Sequence, residues 1–149
     1  MTITDMNASA LDREQRTFEP VPSSAREARQ FVSDTLRRHS ASSDAIRDFA
    51  LVVSELATNF IEHGDGSRLV IFVDVSDPAC WEVEVVGSAA RMPRQVMQPS
   101  LWAVAASGEA SGRGLGIVRH LMDDISTSIV GDQVSIRCSR HRHRHRQSI

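Results

Sequence analysis

The chain has 149 residues, 41% of them hydrophobic and 24% charged, which suits one globular domain with a two-layer core and argues against a second domain. Aromatic residues make up only 5% and tyrosine is absent, against the expectation for a protein that stacks nucleic-acid bases. The 17 basic and 19 acidic residues give a net charge of −2, but Arg140, Arg142, Arg144 and Arg146 stand in the C-terminal stretch. The remaining body holds 13 basic against 19 acidic residues, a balance that favours a basic protein partner over bulk nucleic acid.

Residues 1–20 are polar and aperiodic, end in EPVPSS, and read as a flexible arm with a short strand near Thr17 and Phe18. No apolar run there resembles a signal peptide and no segment reaches the length of a membrane span, so a cytoplasmic protein is expected. A first helix is predicted from Ser24, where Ser24 and Glu27 fit a capping box, to about Arg38 or His39. A second begins near Asp44. Its apolar stripe of Ile46, Phe49, Ala50, Val53, Leu56, Ala57 and Phe60 runs at intervals of three and four until Gly64 ends it.

Two β-branched runs, LVIFVDV (69–75) and WEVEVV (81–86), are joined by SDPA and predict a hairpin. Residues 87–111 lose periodicity and collect Pro93, Pro99, Gly108 and small residues, a loop long enough to imply a function. GRGLGIVRHLMDD (112–124) reads as a glycine-rich turn opening a helix near Gly116. ISTSIV (125–130) and QVSIRC (133–138) around Gly131-Asp132 predict a second hairpin. This order gives an α+β fold: a two-layer sandwich with helices on one face of a mixed, mainly antiparallel sheet. The domain is expected over 21–139, followed by a disordered Arg/His tail over 140–149. That tail reads as solvated, as an anion contact with a partner, or as adventitious metal ligands in His141, His143 and His145. Cys80 and Cys138 are far apart, without CxxC spacing, and read as reduced, buried thiols.

Glu55, Asn59 and His63 advance along one edge of the second helix at a strict spacing of four. A carboxylate beside an amide oxygen suits a hard cation such as Mg²⁺, and the carboxylate alone suits proton removal from a nucleophile; a solvated polar face ending in a helix-terminal histidine fits as well. Gly112, Gly114 and Gly116 allow close backbone approach to an anion at a helix start. GRGLG is neither a Rossmann fingerprint, since Ile117 stands where a third glycine belongs, nor a Walker loop, since no G-K-[ST] follows. Taken alone, it fits a plain glycine-rich helix entry equally well.

Together, ELATNFIEH and SGRGLGIV resemble the N box and second glycine box of the GHKL ATP-binding fold shared by histidine kinases, gyrase and MutL. The short chain and the string SGRGLGIVRHLMDDI are most similar to bacterial anti-sigma-factor serine kinases of the RsbW and SpoIIAB type. The resemblance spans about residues 20–139. It implies ATP and Mg²⁺ as cofactors, Glu55 as general base, Asn59 as metal ligand, and His63 as the end of the N box. It further implies Gly112, Arg113, Gly114, Leu115 and Gly116 around the phosphates, with 88–111 as a lid. A sigma factor, an anti-anti-sigma antagonist and a homodimer are the partners it implies, with no direct contact to nucleic acid or membrane. Two positions depart from the family. Gly87 stands where an adenine-reading Asp is expected, with Ala89 and Ala90 where a glycine turn belongs, and Phe60 stands where the family usually has Ala. The alternative expectation is therefore a binding module of the same fold, with a degenerate nucleotide site, acting by docking without phosphotransfer.

Overall fold

The computed structural model describes residues 12–88, 90–102 and 110–143. Expectations that fall on residues 1–11, on 103–109 of the presumed lid and on the tail beyond His143 lie outside them. The element order is β1 (Arg13–Phe18), α1 (Ser23–Arg38), α2 (Ser43–His63), β2 (Leu69–Asp74), β3 (Cys80–Ser88), two short 3-10 turns (Arg94–Met97 and Pro99–Leu101), α3 (Ala110–Leu121), β4 (Asp124–Val130) and β5 (Gln133–His141). The five strands form one sheet in the order β1-β2-β3-β5-β4. Every ladder is antiparallel, so the expected mixed component is absent from the described sheet.

Alternation along the strands decides which face the helices cover. Leu69, Ile71 and Val73 of β2, Val83 and Val85 of β3, and Val134, Ile136 and Cys138 of β5 all turn inward and are fully or almost fully buried. Against them lie Ala28, Val32 and Leu36 of α1 and Phe49, Val52, Val53, Leu56, Ala57 and Phe60 of α2, the stripe that helical spacing anticipates. Phe18, from the strand expected near the arm, packs edge-on against Phe31 with ring centroids 6.1 Å apart. Both cysteines are free thiols; burial, with the charge of Glu82 nearby, pushes Cys138 up to about 12, while Cys80 is only partly buried.

Local chemistry sets the helix ends, not always as the sequence suggests. α1 starts at Ser23 after Pro22 without a side-chain cap, and Ser24 lies inside the helix, 2% exposed, so the Ser24–Glu27 capping box does not form. At its other end Ser40 takes φ 62°, Ser40 N donates to Arg37 O at 3.1 Å and Ala41 N to Leu36 O at 3.0 Å, the paired bonds of a Schellman stop. α2 is capped by Ser42, whose Oγ accepts from Ala45 N at 3.2 Å.

β5 runs beyond residue 139, through Arg140 and His141, opposite Trp81 and Cys80. Arg140 faces inward and meets Asp48 of α2 at 3.4 Å, with side chains 10% and 13% exposed. Arg142 caps this end. It donates to Val75 O at 2.6 Å and lies over the Trp81 ring at 5.3 Å. Arg140 and His141 continue the alternation of QVSIRCS, which the low-complexity composition of the run they open concealed.

Candidate functional site

α2 carries Glu55, Asn59 and His63 on successive turns of the edge that meets α3. Asn59 is 4% exposed, and its Nδ2 donates to Glu55 O at 2.9 Å. This bond uses the amide donor on the helix itself and leaves Oδ1 as an acceptor for a cation or a donor group. Glu55 is partly buried, and its carboxyl is held above the usual value of 4.5, first by burial and then by the negative charge of Glu62. His63 ends the helix, partly buried, with Nε2 4.0 Å from Glu62.

The glycine motif occupies a different conformation from the expected turn. α3 begins at Ala110, so Gly112, Gly114 and Gly116 lie within its first two turns and not in a loop before a helix starting near Gly116. Helical glycine costs only about 1 kcal/mol against alanine, and Leu115 and Val118, at most 3% exposed, supply the buried face that holds the helix down. The Leu115 side chain is thus a core group, so only its backbone is available to a ligand. The consequence for chemistry lies at Gly114. A Cβ there would fall 2.6 Å from Glu55 Cδ and closer still to Oε2, so only glycine lets α3 rest directly on the Glu55 carboxylate. The expected reach of the Arg113 side chain to phosphate lies outside the described side chains.

The presumed lid is largely built structure before residue 103. Met92, Val96 and Trp102 are 6%, 2% and 2% exposed. Trp102 Nε1 donates to Gln95 O at 2.9 Å, Arg119 of α3 donates to Trp102 O at 3.0 Å, and Thr127 of β4 donates to Met97 O at 2.9 Å. Sequence reading missed Trp102 and Arg119 as the anchors of this segment. A lone tryptophan in a stretch of small residues was the available signal.

Gly87 sits inward on β3 opposite Val134. A Cβ there would lie 2.9 Å from Phe60 Cε1 and 3.2 Å from Cγ, with Cδ1 nearer. The two positions that depart from the resemblance are therefore in contact. Phe60, 3% exposed, is at once a core residue beside Ala57 and the group that covers Gly87.

A Mg-nucleotide can be tested against these residues half by half. At one end an amide oxygen beside a carboxylate suits a hard cation, with the Gly114 face packed on that carboxylate. At the other end no side chain at Gly87 accepts a hydrogen bond, and an aromatic ring fills the space. Donors for a cation are present at one end, and the base end does not fit adenine.

These features, three helices on an antiparallel sheet with a Glu/Asn helix facing a glycine-bearing helix, define the class of histidine kinase-like ATP-binding folds. A model of the histidine kinase-like ATPase domain matches residues 18–138, and the chain belongs to that family. Among solved structures it is similar to the RsbU and RsbW domains of Rv1364c from Mycobacterium tuberculosis, with 14% identity and a TM-score of 0.65 over 92% of this chain. The match spans 34% of that longer chain. It is also similar to a structure of the SiaB–SiaC complex from Pseudomonas aeruginosa, with 13% identity, a TM-score of 0.66, and 91% of this chain and 94% of the other covered. At such identities these likenesses concern the fold. No curated protein sequence matches. None of the described helices is long and apolar enough to cross a membrane.

Proposed function

We propose that this chain is an anti-sigma regulator of the partner-switching kind: a cytoplasmic, homodimeric protein that sequesters a sigma factor and phosphorylates a serine of an anti-anti-sigma antagonist. The observation that carries the reading is the pairing of Glu55 with Asn59 beneath Gly114. It is supported by the family and by two structural neighbours whose names include an RsbW domain and a complex with a second protein. When bound, a Mg-nucleoside triphosphate supplies the phosphoryl group. Asn59 Oδ1 is the residue to hold the metal. Glu55 is the base that takes the proton from the attacking hydroxyl, and its raised affinity for protons suits that task at neutral pH. Resting α3 on Glu55 fixes the carboxylate in place, which is the positioning that phosphoryl transfer mainly requires.

The test mixes the purified protein with anti-anti-sigma proteins of its own organism and γ-labelled ATP. Label should appear on a serine of one of them, and Glu55→Gln should lower the rate by about 10²- to 10⁴-fold while sigma-factor binding persists. Undiminished transfer by Glu55→Gln would remove Glu55 as base. A second reading, docking without phosphotransfer, is favoured by one observation, the Phe60 ring on Gly87. It predicts tight binding of sigma factor or antagonist with no label on either.

A further inference from the structure

Gly87 has no conformational need to be glycine. It lies in the β3–β5 ladder, and its φ is not among the positive values, which occur at Gly66 and Gly131 among the described glycines. A glycine inside a strand weakens it, giving up backbone entropy and packing, unless another group must approach the backbone closely. The group that approaches is Phe60, whose ring atoms Cε1 and Cγ would stand 2.9 Å and 3.2 Å from any Cβ at this position. Phe60 follows directly after Asn59 on α2, so the same helix turn that offers an oxygen to a metal also delivers the ring.

Beyond Gly87 the surface opens into a shallow hollow of about 370 Å³, lined by Asp65, Ser67, Arg68, Ser88, Asp132 and Gln133 around it. Its polar groups are solvated and already engaged in part: Asp65 accepts from Ser67 N at 2.9 Å and also from the Ser67 hydroxyl. Among the described residues no aromatic side chain lines the hollow, and none of the polar side chains that line it is buried. A site discriminates strongly between bases when its dry polar groups would be left unpaired by the wrong one, and weakly when water can take their place.

We infer that Phe60 and Gly87 are an interlocked pair that closes the base end of the nucleotide site, so that the phosphoryl donor is a nucleoside triphosphate taken by its phosphates and not chosen by its base. This rests on the kinase reading above. Two consequences separate it from a simple loss of one hydrogen bond. Restoring a carboxylate by Gly87→Asp alone must drive it into the Phe60 ring, so it lowers stability without creating selectivity. Selectivity for adenine requires both changes, Phe60→Ala and Gly87→Asp.

The experiment is calorimetric titration of the purified protein with Mg-ATP, Mg-GTP and Mg-tripolyphosphate, alongside thermal melts of the parent, Gly87→Asp, and the double variant. The expected result is ATP and GTP affinities within about threefold of each other and tripolyphosphate within about tenfold of both, with a preference for ATP of about tenfold or more appearing only in the folded double variant. Parent protein that prefers ATP over GTP by more than about tenfold would overturn the inference and leave the kinase reading standing. Binding of none of the three would overturn the kinase reading and the inference with it. Gly87→Asp that melts like the parent and binds ATP selectively on its own would show that the ring is not the obstacle, which also overturns the inference. The parent titration decides the matter even if the double variant fails to fold.

Discussion

At the scale of single residues, Glu55 carries a conflict between stability and chemistry that pH can expose. Burial and the nearby charge of Glu62 raise its folded-state pKa above 4.5, so the folded protein binds this proton more tightly than the unfolded chain does. The sign follows. The stability associated with this proton is fully present below the unfolded value near 4.5 and is lost as pH rises through the higher folded value. Above the folded value the ionised carboxylate is therefore a net burden on the fold. Glu55→Gln should melt at a higher temperature than the parent at pH 7, with the difference shrinking as pH falls through the raised folded value towards 4.5 and absent well below it, where both side chains are neutral. Melts from pH 4 to 7.5 check it; a variant less stable than the parent at pH 7 would show that the carboxylate makes favourable contacts that outweigh its burial. Glu55 and Asn59 were legible in the sequence because a spacing of four on an amphipathic helix leaves little freedom in where side chains stand. The contact of Phe60 with Gly87 was not, because no local periodicity relates a helix position to a strand position far along the chain. The departures were visible singly, and only packing joined them.

At the scale of elements, the helices and both hairpins follow from periodicity and turn residues, while the ends of elements depended on competing local interactions. Ser24 offered a side-chain cap, yet its burial in the core took it inside α1. Three glycines suggested a loop, yet α3, with Leu115 and Val118 on its buried face, starts at Ala110. The other end of α1 offers a test of how much such local strain matters. Ser40 holds φ 62° to make the Schellman bonds, a conformation that disfavours any residue with a Cβ. Ser40→Gly removes that strain without removing a hydrogen bond, because both paired bonds use backbone groups. It should stabilise the protein by about 1 kcal/mol, less whatever entropy glycine adds to the unfolded chain. For a protein of this size the shift is a rise in melting temperature of at most about 2–4 °C, read by calorimetry. No rise, or a fall, would mean that the unfolded-state entropy of glycine exceeds the strain relieved.

At the scale of the whole molecule, the last strand is joined to the helical layer by an ion pair on α2, seven residues before Glu55. Arg140 and Asp48 connect β5 to α2 across the covered face of the sheet, and both side chains are nearly buried. Arg140 Nε and Nη1 have no hydrogen-bond partner among the described residues, so the ion pair with Asp48 is the main compensation for burying the guanidinium. Burying charge this way is a poor source of net stability, because desolvation offsets most of the attraction, but removing one partner strands the other in a low-dielectric setting. Arg140→Met should thus destabilise the fold by about 3–5 kcal/mol, which a disordered tail residue would not do. The control is the double variant Arg140→Met with Asp48→Leu, which replaces both charges by apolar groups of similar bulk. It should recover most of the loss and can exceed the parent, since a well-packed apolar pair pays no desolvation. Denaturant melts of the parent, both single variants and the double variant complete the cycle. If Arg140→Met alone is neutral, the end of β5 contributes nothing to the cooperative unit, and the sheet stops, energetically, at Ser139. If instead the double variant is as unstable as the single one, the guanidinium contributes through packing against Trp81 and its neighbours and not through its charge.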